Sequence, residues 1–404
     1  MTTKYDMVFE GGGAKGMAFV GAMQALEERG ITFDRLLGTS AGAITATCLA
    51  AGYDSREMLA VLSETVGEKP VFATFLEIPP LLSADEIKNG DFTTLLRAIN
   101  LPLVGEPIEE QLDRLIIKQL QEKDQGRQFL SFIERGGLYA ADNFIAWLER
   151  NLDRGNFQGQ PRRFSKMSLQ QFFDVTEVDL TLAAADISDS RLLFLNHRTA
   201  PDCPLVYAVR MSMSVPLVWP EVVWKAEWGN YAVGHRTLVL TGHAVVDGGL
   251  LSNFPIELLI SNDPHILAVM GPQQQRSDLN DHVLGLLIDE SLELPESRSL
   301  SFTEAVAESQ AIRRIKGLVN ATTQAHDKMV IESFEDFIVR LPAWGYGTLE
   351  FEMSEEKKSA LIEAGYQATK EHLGNRDSVR GTQPREPQTA NELANVRALN
   401  LLER

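Results

Sequence analysis

The sequence predicts an α/β protein in three layers, with a mainly parallel sheet between helices and a helical cap. Three observations carry that expectation. Residues 5–29 read as strand, glycine loop and helix. Residues 33–51 repeat the order with a serine at the turn. After a long stretch of helical periodicity over 55–152, strands return at 179–187 and 244–246.

Tyr5 to Glu10 is the first expected strand, and Gly11-Gly12-Gly13-Ala14-Lys15-Gly16 follows it directly. Met17 to Arg29 has a helical apolar pattern and stops at Gly30. The loop formally matches G-x-G-x-x-G, so a dinucleotide site is one reading. Asp34 weakens that reading. It precedes most of the second strand's apolar run, whereas a ribose-binding acid should follow it. A Walker A loop is ruled out because Met17, not lysine, follows Gly16. Consecutive glycine N–H groups at a helix start also form an anion cradle. Parallel pairing of the first two strands would set that cradle beside the next turn as an oxyanion hole.

Phe33 to Leu37 reads as a short buried strand, Gly38-Thr39-Ser40-Ala41-Gly42 as a sharp turn, and Ala43 to Ala51 as a helix ending at Gly52. A serine between near glycines at a strand-to-helix turn is a nucleophile elbow. A chance G-x-S-x-G is the competing explanation, and the flanking strand and helix narrow it.

Glu57 to Val66 and Ile108 to Glu122 are expected helices with charged outer faces, joined through the apolar, proline-marked Glu77 to Leu82. The insertion at 55–152 either caps the active site or covers the sheet. Ala141 to Arg150 is a further helix, and Gly155 to Arg163 an exposed loop. Asp179 to Ile187 is an apolar strand with three alanines, and Arg191 to Arg198 its antiparallel neighbour. Pro204 to Ser214 is a helix stopped at Val215-Pro216. Segments 222–228 and 237–240 are expected as a hairpin around Gly229-Asn230. Ala244 to Val246 is a short strand leading into Asp247-Gly248-Gly249. Pro264 to Met270 reads as a buried strand, Phe302 to Ile331 as a long helical stretch, Phe337 to Leu341 as the last strand and Ser354 to Leu373 as the last amphipathic helix. The polar residues 374–404 read as a flexible tail, leaving 1–373 as one domain.

The net charge of −18 argues against nucleic acid, whose phosphates would be repelled, and against adhesion to anionic membranes by charge alone. Contact with lipid would have to be apolar or induced by a partner. Two cysteines, Cys48 and Cys203, make no disulfide framework. Without a signal-peptide pattern or a membrane-spanning run, the expected location is cytoplasmic, with export as an effector left open.

A serine nucleophile needs a base, and Asp247 is the strongest candidate. Gly248 and Gly249 would let a second backbone approach its carboxylate. A lone Asp-Gly-Gly is more often an Asx-type turn. Here Ser214-Val215-Pro216 and Ser252-Asn253-Phe254-Pro255-Ile256 add small-polar and proline corners on either side.

Together these motifs resemble the patatin-like phospholipases. The family's glycine loop is similar to Gly11–Gly16, its elbow to Gly38–Gly42, its proline-marked block to Met211–Pro216, and its Asp-Gly turn with Asn-x-Pro to Asp247–Pro255. The resemblance implies the patatin-like fold and a Ser–Asp dyad without histidine that cleaves fatty-acyl esters of phospholipids or glycerolipids. Ser40 would be nucleophile and Asp247 base, with Gly11, Gly12 and Gly13 giving oxyanion N–H groups. It also implies a lipid substrate met by transient membrane contact, and no cofactor. One departure is Lys15, where the family usually has arginine; lysine keeps the charge but not the rigid fork.

Rivals are a lipid-binding or regulatory module with an idle site, a general carboxylesterase or thioesterase, and, more distantly, a dinucleotide oxidoreductase. A triad through His243, four residues before Asp247, is a further alternative, since strand alternation would put both on one face. No H-E-x-x-H motif supports a metal. A protein or small-molecule activator and the oligomeric state are left open.

Overall fold

The computed structural model describes residues 3–98, 106–234, 236–272, 282–294, 330–379 and 387–403. The main sheet has eight strands: β1 (Thr3–Phe9), β2 (Ile31–Thr39), β3 (Asp179–Asp186), β4 (Arg191–Leu195), β5 (Val222–Val223), β6 (Ala244–Asp247), β7 (Val283–Asp289) and β8 (Ile338–Pro342). Their order is β8-β7-β1-β2-β3-β6-β5, with β4 also paired to β3. The five strands β8, β7, β1, β2 and β3 run parallel; β4, β5 and β6 join antiparallel.

Side chains alternate across the strands and divide the core in two. Met7, Phe9 and Leu36 belong to one apolar cluster, and Val8 and Leu37 to the other. The first face is covered by α1 (Met17–Glu28), α2 (Ala41–Ala50) and the long C-terminal helix Glu355–Val379. That long helix crosses α1 at a pair of glycines. A Cβ on Gly21 would fall 1.7 Å from the Ile362 carbonyl oxygen, and one on Gly365 2.1 Å from that of Ala18. The second face is covered by short helices at Glu257–Ile260 and Pro264–Met270 and by a helix at Pro387–Glu403. Three layers result, as expected.

Residues 55–152 divide into two parts. Helix Ser55–Leu62, the 3-10 turn Val71–Phe75 and helix Asp142–Leu152 pack into the main core. Helices Ala84–Asn89, Asp91–Ala98, Glu106–Gln121 and Asp124–Arg135 gather around a small core of their own, made by Leu82, Phe92, Ile117 and Leu130.

Four expectations are corrected. Pro264–Met270 is a helix, not a strand: Asp263 caps the His265 N–H at 2.8 Å, Pro264 occupies the first turn, and Ile266, Val269 and Met270 are buried at helical spacing. The hairpin lies at Tyr231–Val233 and Arg236–Leu238, because Val222 and Val223 pair with β6 instead. The segment 155–163 is not simply exposed. Its Arg162 is buried, donating to the Ala51 and Gly52 carbonyls and to Glu57. The C-terminal segment is not a flexible tail where it is described. The helix Glu355–Val379 runs through Gly374, and Ala394, Ala398 and Leu401 form a buried stripe hidden in polar composition. The helical stretch expected at 302–331 lies almost wholly outside the described residues.

Candidate active site

The elbow forms where β2 meets α2. Ser40 has φ 54° and ψ −119°, a strained backbone for a side chain larger than hydrogen. Its flanks explain both glycines. A Cβ on Gly38 would lie 2.4 Å from the Gly42 carbonyl oxygen, and one on Gly42 2.2 Å from that of Phe9. The strain is held by hydrogen bonds: Ser40 N–H donates to Ser212 Oγ at 3.2 Å, and its carbonyl accepts from Ala43 N–H at 2.9 Å.

Register brings the expected base to this turn. Thr39 pairs with Ala183 across a parallel ladder, and Asp247 pairs with Ala184 across an antiparallel one. Thr39 and Asp247 therefore take successive positions along the same edge of β3, whose other edge is filled by β4, so Asp247 comes to the end of β2 where Ser40 begins the turn. There Ser40 makes a side-chain hydrogen bond to Asp247. The Asp247 N–H donates to the Ser214 carbonyl at 2.9 Å, and its Oδ1 accepts from Gly249 N–H at 2.8 Å. Burial pushes the Asp247 carboxyl up to about 7, against the opposing pull of the Gly249 N–H and the Ser40 hydroxyl.

The glycine loop lies against the elbow, since a Cβ on Gly11 would come within 3.0 Å of Ser40 Cβ. Of the three expected donors, Gly11 directs its N–H to the Asn253 carbonyl at 3.4 Å. Among the described residues, the N–H groups of Gly12 and Gly13 have no protein acceptor. Asn253 secures the loop a second time, donating from Nδ2 to the Gly11 carbonyl at 2.8 Å and to Glu10 Oε1 at 3.1 Å. Glu10 Oε2 accepts from Ile288 N–H at 2.6 Å, and Ala14 N–H donates to the Thr348 carbonyl at 2.9 Å. Lys15 is buried and ion-paired to Glu290, a single point-charge contact.

His243 is not brought to the site. Its Nδ1 lies 2.9 Å from Asp186 Oδ2, while the contacts that perturb Asp247 come from Gly249 and Ser40. Asp189 joins this histidine in a group whose ligand-type atoms lie within 4.8 Å of one another. Both Asp186 oxygens there are already engaged, by His243 and by Ser188 N–H.

The corners at 211–216 and 252–256 carry roles that their residue types alone do not assign. Ser212 and Ser214 turn out to hold the elbow and Asp247, and Asn253 ties the Asp247 turn to the glycine loop. Buried Arg210 in turn holds Ser214 Oγ and donates to the Pro220 carbonyl at 3.0 Å. The only signal for these roles was the density of small polar residues beside prolines.

A pocket opens at Ser40 and Gly13. Its walls are apolar: Ile44 and Met213 near the elbow, Leu62 and Phe75 from the insertion, and Trp219 and Phe351 beyond them. Leu62, Phe72 and Phe75 thus bring residues of the 55–152 insertion into its wall. Among the described residues no helix is long and apolar enough to cross a membrane.

A family model described as patatin-like phospholipase matches residues 7–260, the span that carries the glycine loop, Ser40 and Asp247. The YqhO protein of Bacillus subtilis (strain 168) is 28% identical over 373 residues, 90% of this chain and 96% of that protein. Lysophospholipase NTE1 of Candida glabrata is 48% identical over 48 residues, 12% of this chain and 3% of that one. Among solved structures, VipD from Legionella pneumophila aligns with a TM-score of 0.44 at 16% identity, covering 99% of this chain and 75% of that one.

Proposed function

The chain belongs to the patatin-like phospholipase family, and from that premise we propose that it releases fatty acids from phospholipids or other glycerolipids through a Ser40–Asp247 dyad. The observation that carries the reading is the buried Asp247 carboxyl beside Ser40, with an ordinary carboxylate pushed up to about 7. A carboxylate near 4 is a poor base for an alcohol; one near neutrality is much better matched to the task.

Asp247, ionised, takes the proton as Ser40 Oγ attacks the ester carbonyl. The developing oxyanion is received by the N–H groups of Gly12 and Gly13, which the fold leaves without acceptors. The acyl chain lies in the apolar pocket. Asp247 returns the proton to the leaving alcohol, then activates water to free the fatty acid from Ser40.

The direct test is fatty-acid release from a panel of defined phospholipids and glycerolipids, with Ser40→Ala as control. Release by the wild type and none by the variant is expected. Turnover restricted to simple esters or thioesters would move the assignment to a general esterase. Lipid binding without turnover would move it to a regulatory module.

A further inference from the structure

Part of the pocket wall comes from a segment that lies outside residues 7–260. Thr348, Leu349 and Phe351, between β8 and the helix Glu355–Val379, all line it. Phe351 is only 9% exposed, and its ring centre stands 6.2 Å from those of both Phe72 and Trp219. Phe72 in turn sits 5.2 Å from Phe75. Aromatic rings from three distant parts of the chain thus meet in one cluster.

This cluster is more deeply buried than the reacting end. Ser40 and Gly13 are partly exposed, whereas Phe75, Trp219 and Phe351 are buried. Ala41 and Thr45, which also line the pocket, are four residues apart on α2, so the cavity follows that helix for about 6 Å away from the elbow. The same segment touches the glycine loop. The Thr348 carbonyl accepts the Ala14 N–H, and a Cβ on Gly13 would fall 2.1 Å from that oxygen.

We propose that the segment 348–351 sets acyl-chain length, with Phe351 as the end wall of the pocket and Leu349 as its side. This rests on the hydrolase reading for its substrate but not for its geometry. A chain that reaches Phe351 fills the pocket with its carbonyl at Ser40. A longer chain has to displace the ring or withdraw the carbonyl, and a shorter one leaves apolar wall uncovered. Leu349 and Phe351 are therefore specificity-determining residues.

The experiment compares the wild type with Phe351→Ala and Leu349→Trp on p-nitrophenyl butanoate, octanoate, dodecanoate and hexadecanoate. A parallel measurement in the Ser40→Ala background follows displacement of a fluorescent fatty acid by saturated acids of the same lengths. Phe351→Ala is expected to raise the long-to-short ratio of kcat/KM at least tenfold, and Leu349→Trp to lower it by a similar factor. Binding should shift in the same directions. Leu349→Trp keeps the test alive should the Phe351 cavity prevent folding. Equal changes at every chain length would overturn the proposal. Shifted binding with no turnover of any ester would sustain the wall and sink the hydrolase reading, and absence of both would sink the two together.

Discussion

Asp247 and Ala184 stand opposite each other on antiparallel strands, while Ala183 beside it stands opposite Thr39. Thr39 and Asp247 thus take successive places along one edge of β3, and the Ala184 side chain points to the same face as that of Asp247. Ala184→Val is expected to lower turnover at least a hundredfold, because its methyls intrude where Ser40 and Asp247 meet. Overpacking should cost about 1–3 kcal/mol of stability. Ala184→Gly should keep most activity. Urea titration beside turnover separates the effects, and equal activity in the two variants would remove the steric argument.

Ser40→Ala is expected to abolish ester hydrolysis and labelling by a fluorophosphonate probe while preserving the fold. Ser212 and Ser214 serve as internal controls, since their hydroxyls hold other groups. Peptide mapping that places the label on either of them would overturn the assignment.

Asp247 links activity to stability through pH. Its folded carboxyl is raised, so the folded state holds the proton more tightly than the unfolded chain. That contribution to stability is fully present below the unfolded value of 3.8 and is lost as pH rises through about 7. Turnover needs the ionised form, so kcat/KM should climb with an apparent pKa near 7. Asp247→Asn should be inactive, yet gain stability over the wild type at alkaline pH, on the order of 4 kcal/mol at most. A flat activity profile between pH 5 and 8, or an alkaline wild type as stable as the variant, counts against the buried base.

The two free glycine donors should differ in tolerance. A Cβ on Gly13 meets the Thr348 carbonyl oxygen at 2.1 Å, and its φ is +56°. One on Gly12 meets only Ile288 Cδ1, at 2.2 Å, the far end of a flexible side chain. Gly13→Ala should therefore lose about 10²–10³ in turnover, and Gly12→Ala less. Adding Ile288→Val, which removes the clashing methyl, should restore part of the Gly12→Ala loss. No restoration would place the fault in the loop backbone.

His243→Ala separates dyad from triad. Turnover should stay within about tenfold, roughly 1.4 kcal/mol. Stability should fall by about 1–3 kcal/mol, because buried Asp186 loses a hydrogen-bond partner. A folded variant slowed a thousandfold would make His243 the base.

The local chemistry was legible because it is written in backbone needs. Gly38, Ser40 and Gly42 announce a strained turn, and Asp247-Gly248-Gly249 a close approach. Longer-range facts were not. Gly11 looked equal to Gly12 and Gly13 until Asn253, distant in sequence, was seen to take its N–H. Pro264–Met270 is an apolar run short enough to fit strand and helix alike, and the Asp263 cap decides for helix. The buried stripe at Ala394, Ala398 and Leu401 is too sparse to stand out among polar neighbours.

The sheet order also fixes a schedule. β1 lies at the middle of the sheet, yet one of its edges is filled only by β7, whose first residue, Val283, follows Phe9 by 274 positions. At ribosomal speeds of about 5–20 residues per second, that edge waits ~15–55 s for its partner. Ser40 and Asp247 are both made well before then. The groups that brace the glycine loop come last: the Ile288 N–H on Glu10, Glu290 on Lys15 and the Thr348 carbonyl on Ala14. Nascent chains should therefore carry both dyad residues without a finished oxyanion site. A chain stopped after residue 272 is expected to take no fluorophosphonate label, so the two dyad residues alone do not arm the site.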